Sequence, residues 1–180
     1  MTQFIGILAL ATALFSSVSC SGVRSLASGL GGGDSMGSSG SALFANRKTL
    51  TDVKTTAYSD KENEMGGIYK NLSASGRPLK YGSLRSAAAD WSHMPMGTLF
   101  RIKGLPYIYE IDDYGSGLVG TNTIDLYKPD LATMHAWGTR KVDIEVIREG
   151  SYARSLDILE GRLKAPHVRE MASNIKRKQL

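Results

Sequence analysis

Residues 107–127 read YIYEIDDYGSGLVGTNTIDLY, a stretch of two β-rich segments that holds three aspartates and, between the segments, three glycines. Residues 107–111 are aromatic and β-branched, as are residues 123–127, so each segment predicts a strand. Gly115, Gly117 and Gly120 lie between them, where a backbone turns sharply or lets another group come close. Asp125 sits inside the second strand, between Ile124 and Leu126. An acid so placed either points to solvent or is held in a cleft as a functional group. Side-chain alternation puts it on the face of Thr123 and Tyr127, opposite its two apolar neighbours.

Further strands flank this centre. Residues 50–59 (LTDVKTTAYS) are rich in Thr, Val and Tyr and predict a first strand. Residues 60–78 are polar and punctuated by Gly66, Gly67 and Gly76, which predicts a loop. Residues 81–90 are ambiguous, since Ala87-Ala88-Ala89 fits a short helix or a strand buried on both faces. After a turn at Pro95 and Gly97, a strand is expected over 99–103. A helix is expected over 129–137, with Pro129 near its first turn and Gly138 ending it. Residues 141–148 (KVDIEVIR) alternate strictly and predict a half-buried strand. Leu156, Leu159 and Leu163 then recur at helical spacing, and a second helix follows Pro166. Short strands joined by glycine-rich crossings predict a small closed barrel, an arrangement without exposed edges.

The chain has 180 residues, 42% hydrophobic and 22% charged, enough for one modest domain with appendages. Its net charge of +5 favours acidic partners such as nucleic acid, anionic lipid or an anionic polymer. No basic run is interleaved with aromatics, so no nucleic-acid partner is expected. The first nineteen residues carry no charge, and the apolar run 4–15 has the length of a signal-peptide core. Ser17 and Ser19 stand at the −3 and −1 positions of a cleavage just before Cys20, the chain's single cysteine. That places Cys20 where a bacterial lipoprotein is lipidated, although an ordinary secreted chain cleaved at the same place remains an alternative. One cysteine leaves no intramolecular disulfide, so an exported chain relies on its core. Residues 21–41 are dominated by Gly and Ser and read as a tether. The expected organisation is a lipoprotein-type signal peptide over 1–19, a linker over 20–43, a barrel over 44–150 and a helical extension over 151–180.

Four segments together carry a family resemblance: TTAY at 55–58, AADWSHMPMGT at 88–98, DDYGSGLVGTNTIDLY at 112–127 and WGTRKVDIEVI at 137–147. They resemble the three-aspartate domain shared by the membrane-bound lytic transglycosylase A family and related bacterial cell-wall proteins. The resemblance spans residues 54–147 and implies a mainly β fold, a six-stranded double-psi β-barrel. The short helix is inserted in the barrel and a helical tail follows it. It places the family's three aspartates on Asp90, Asp113 and Asp125, with Asp125 catalytic. Asp113 stands one position further from Asp125 than the family spacing, which leaves the second aspartate as Asp113 or Asp112.

The resemblance further implies an exported enzyme of the bacterial cell envelope that cleaves the β-1,4 bond between N-acetylmuramic acid and N-acetylglucosamine without water. One carboxylic acid protonates the leaving oxygen, then takes the proton of the sugar's own C6 hydroxyl, which closes on C1 as a 1,6-anhydro end. Such an acid works best with a pKa near ambient pH, and neighbouring carboxylates supply that shift. Thr56, Tyr58, Gly115, Gly117 and Trp137 are the candidate glycan-binding residues. Tyr58 and Trp137 also fit a barrel core. The expected partners are peptidoglycan strands and, through Cys20, the membrane. The family's larger enzymes complete the groove with a second domain, so here the 60–78 loop or a protein partner is expected to do so. Three aspartates are also a donor set for calcium or magnesium, but they lack the dense alternation of a calcium loop; no metal or cofactor is expected. His93 and His135 stay unassigned. A hydrolytic glycosidase, with acids ~5–5.5 or ~6.5–9.5 Å apart, and a glycan-binding module without activity remain alternatives.

Overall fold

The alternation over 141–148 becomes strand β6 (Arg140–Arg148), in which Ile144 and Val146 are buried while their neighbours are half-exposed. The structure is a computed structural model that describes residues 48–61 and 71–178. The N-terminal apolar run, Cys20, the Gly/Ser-rich segment and residues 62–70 of the long loop lie outside the described residues. The other strands are β1 (Lys48–Tyr58), β2 (Leu84–Ala88), β3 (Leu99–Ile102), β4 (Ile108–Asp113) and β5 (Ile124–Tyr127). Residues 84–88 are therefore strand and not helix. Their alanines are nearly all inaccessible, which erases the alternation that marks a half-buried strand.

The strands close into a barrel in the order β1-β5-β2-β4-β3-β6. β1 and β5 run parallel, as do β2 and β4, and every other neighbouring pair is antiparallel. The pairing is twofold in its topology. Moving each strand three places along the chain turns β1·β5 into β4·β2 and β1·β6 into β4·β3, while β2·β5 and β3·β6 map onto themselves. Phe100, Tyr109, Ile111, Ile124, Leu126 and Ile144 are all buried and belong to one apolar cluster. Phe100 stacks on Tyr109 with ring centroids 5.3 Å apart.

Helix α1 (Leu131–Trp137) joins β5 to β6. Asp130 caps it by accepting from the Thr133 amide at 2.8 Å, and Gly138 ends it. Two C-terminal helices follow, α2 (Tyr152–Glu160) and α3 (Pro166–Lys178). Val168, Met171, Ala172 and Ile175 recur at helical spacing on the buried face of α3. With Leu159 of α2 they join the barrel's own cluster, which includes Trp91 and Met96. Leu163 lies beyond the end of α2 and is exposed, so only part of the leucine spacing over 156–163 is used for packing.

The helices attach through the turn at 95–98. The Thr98 amide donates to Pro95 O at 3.1 Å, and Gly97 has φ +88°, as a type II turn requires of its third residue. Gly150 crosses this turn so closely that a Cβ on it would lie 2.3 Å from Met96 O and 2.4 Å from Pro95 O. The Gly150 amide donates to Thr98 Oγ1 and the Ser151 amide to Met96 O. Gly150→Ala must push backbone away from backbone. It should destabilise the fold by about 1–3 kcal/mol or more, read as a lower denaturant midpoint with an unchanged slope.

Candidate active site

A groove of about 1020 Å³ lies on the outer side of the barrel wall formed by β1, β5, β2 and β4. Its floor is a row of residues fixed by strand register. Thr56 pairs with Asp125, Asp125 with Ala88, and Ala88 with Asp113. All four line the groove, together with Tyr58, Gly115, Gly117 and Thr123. Ile124 and Leu126 point into the core, so alternation sends Asp125 the other way. Two strand spacings, roughly 9–10 Å of backbone, separate Asp125 from Asp113. Only the methyl of Ala88 stands between them, which leaves the space above the row open.

A bulge decides which of the two adjacent acids faces the groove. Ala87 pairs with Ile111, but the next residue, Ala88, pairs with Asp113, so Asp112 is the extra residue. Glu110 and Asp112 share the Lys80 ammonium, at 3.0 and 2.5 Å, away from the groove. Ser86 Oγ also donates to Asp112, at 2.8 Å. Asp113 is turned into the row and held from three sides. The Ala74 and Tyr114 amides donate to its Oδ1 at 2.8 and 2.9 Å, and Tyr58 OH donates to its Oδ2 at 2.9 Å. Trp91 Nε1, itself fully buried, donates to the Asp113 carbonyl at 2.8 Å.

Burial raises the Asp113 pKa above the ordinary aspartate value of 3.8, against the lowering effect of its three donors. Burial, then the Asp113 carboxylate, hold the Tyr58 hydroxyl well above its usual range, so at neutral pH it remains a donor. The raised Asp113 pKa has a consequence for stability. Between 3.8 and its higher folded value, the folded chain keeps a proton that the unfolded chain has lost, so this group's stabilisation falls as pH rises through that window. Asp113→Asn keeps an oxygen for the two amides and removes the buried charge. Its melting temperature should exceed the parent's at neutral pH, with the difference closing as the pH falls below the window; thermal melts across pH measure this.

Asp125 is half-buried on the open side of the row. Thr56 Oγ1 donates to its Oδ1 at 2.7 Å, fixing the carboxyl plane. Gly115 precedes and Gly117 lies within a short 3-10 turn, Ser116–Leu118, that lines the groove. The long loop also contributes to the lining. Asn71, Leu72, Ser73 and Ala74 line the groove, within a tight reversal closed by the Leu72–Pro78 bridge. Arg162, from the turn between α2 and α3, also enters the groove and donates to Ala74 O at 2.8 Å. Sequence spacing offered no signal for Arg162, because it reaches the site only through the packing of the C-terminal helices.

Asp90 and Trp137 stand apart from the groove's lining. Asp90 is buried and accepts from the Ser92 amide at 2.8 Å and the Gly120 amide at 2.9 Å. It therefore pins the glycine-rich crossing that ends at Gly120. Trp137 ends α1, where the Arg140 guanidinium lies 4.2 Å and the Lys128 ammonium 4.5 Å from its ring. Cys20 lies outside the described residues. No family model matches the chain, and no curated protein matches it.

Proposed function

We propose that this chain is an exported peptidoglycan lytic transglycosylase of the three-aspartate type, built on a double-psi barrel, with Asp125 as its general acid and base. The observation that carries this reading is the row Thr56–Asp125–Ala88–Asp113 on the floor of an open groove. The twofold strand pairing, with its two parallel pairs, supports the double-psi assignment. A strand of alternating N-acetylglucosamine and N-acetylmuramic acid lies along the groove with its scissile oxygen over Asp125. Asp125 gives its proton to that oxygen. As a carboxylate, oriented by Thr56, it then takes the C6 hydroxyl proton while the C6 oxygen closes on C1. Asp113 makes no proton transfer; its partly desolvated carboxyl sets the local field. Arg162 offers donors to the sugar and its substituents, and the Tyr58 hydroxyl oxygen, its proton held by Asp113, offers an acceptor.

Release of soluble muropeptides from purified sacculi tests the proposal. Cosedimentation with sacculi without release would favour the binding module, and neither release nor cosedimentation would overturn both readings. The proposal places the chain at the membrane through a lipidated Cys20. A single acyl chain binds marginally, whereas several hold firmly. Cys20→Ser should move the protein from the membrane fraction to the soluble exported fraction; retention in the membrane would contradict the anchor.

A further inference from the structure

One end of the barrel, where β1 and β5 finish and β2, β4 and β6 begin, gathers cations around aromatic rings. Lys128 follows β5 directly and is only 4% exposed. Its ammonium lies 4.5 Å from the Trp137 ring and 5.8 Å from the Tyr81 ring. Arg85, at the start of β2, is 9% exposed, with its guanidinium 3.3 Å over Tyr107 and 4.1 Å over Tyr81. Arg140, at the start of β6, covers Trp137 from 4.2 Å. Tyr127 links this cluster to the groove, its ring 5.6 Å from Tyr58 and 6.4 Å from Tyr81.

Among the described residues, the cluster's cations meet no carboxylate, and the acceptor beside Arg85 is the buried Tyr109 hydroxyl. Among the described residues, the Lys128 ammonium meets no carboxylate and makes no hydrogen bond. The indole N–H of Trp137 is buried and has no partner either. Arg85 spends one N–H on the Gly82 carbonyl, and Arg140 is bonded to the carbonyls of Ala136 and Trp137. Burial, then Arg85 and Arg140, lower the Lys128 pKa to about 8, so it is still mostly charged at neutral pH. Cation–π contacts offset part of the cost of burying such a charge, but they give its N–H groups no acceptor. The buried Trp137 indole N–H is a donor of the kind that is ordinarily satisfied, and an oxyanion satisfies several donors at once.

We propose that Lys128, Arg85 and the Trp137 indole form a binding site for a single oxyanion, a phosphate or a carboxylate. The site is separate from the Asp125 row, and its test does not depend on glycan cleavage. The chain has two tryptophans, which supply a reporter and a control. In nitrogen-labelled full-length protein, the Trp91 indole is held by the Asp113 carbonyl and should not respond, whereas the Trp137 indole should. Inorganic phosphate and acetate are titrated separately, at ionic strength matched with sodium chloride. A saturable shift of the Trp137 indole signal is expected, weakened about tenfold or more in Lys128→Met and retained in Lys128→Arg. Phosphate alone acting assigns the site to a phosphate-bearing ligand, and acetate alone assigns it to a carboxylate. A Trp137 signal that neither anion moves beyond the chloride control overturns the proposal. So does an equal shift in a Lys128→Met protein whose Trp91 signal shows it to be folded.

Discussion

Asp125→Asn is expected to lower release of muropeptides by a factor on the order of 10²–10⁴, the usual contribution of a positioned proton donor. The amide keeps an oxygen for the Thr56 hydroxyl, now at 2.7 Å from Asp125 Oδ1, so the side chain should hold its place. Cosedimentation with sacculi and the melting temperature should stay near those of the parent. The substitution thus separates proton transfer from binding and folding. Asp113→Asn should cost less activity, because that carboxyl is already engaged by the Ala74 and Tyr114 amides and Tyr58. It should instead move the acid limb of the pH–rate profile. A folded Asp125→Asn protein that cleaves at the parent rate would send the search for the acid to Asp113.

Ending the chain at Gly150 is expected to abolish cooperative folding. The truncation removes Leu159, Val168, Met171 and Ile175, all at 0–1% exposure. Burying each such side chain contributes about 1.5–3 kcal/mol, so together they rival the 5–15 kcal/mol, roughly, by which a domain is stable. It also uncovers Trp91, whose indole supports the Asp113 backbone. Circular dichroism melts and amide dispersion in the nitrogen-labelled protein check this. A truncated chain with a sharp melt at the parent temperature would contradict the claim that the helices and the barrel share one core.

The residues that give the strands away are those with one dry face. Ile144 and Val146 alternate with wetter neighbours, and Ile124 and Leu126 bracket Asp125, so β6 and β5 are legible from period alone. β2 is not, since Ala87 and Ala88 are buried on opposite faces and alike in size. The closed barrel follows from counting strands, but the crossing order that makes β1·β5 and β2·β4 parallel is a tertiary fact. At the site, alternation alone was enough to aim Asp125. It could not choose between Asp112 and Asp113, because the bulge that turns Asp113 into the row leaves no mark on residue type. Thr56 and Tyr58 were within reach of a family pattern. Trp137 fitted the same aromatic signal and yet stands against Lys128 and Arg140. An aromatic side chain suits a sugar, a core and a cation equally well.

The central claim is that the groove cleaves glycan with the sugar's own C6 hydroxyl in place of water. Digestion of purified sacculi in water enriched in heavy oxygen, followed by mass spectrometry of the released ends, tests it most directly. The account predicts muramic ends one water lighter than reducing ends, free of the heavy isotope, and greatly depleted when Asp125→Asn replaces the parent. Reducing ends carrying the heavy oxygen would contradict it and make the groove that of a hydrolase.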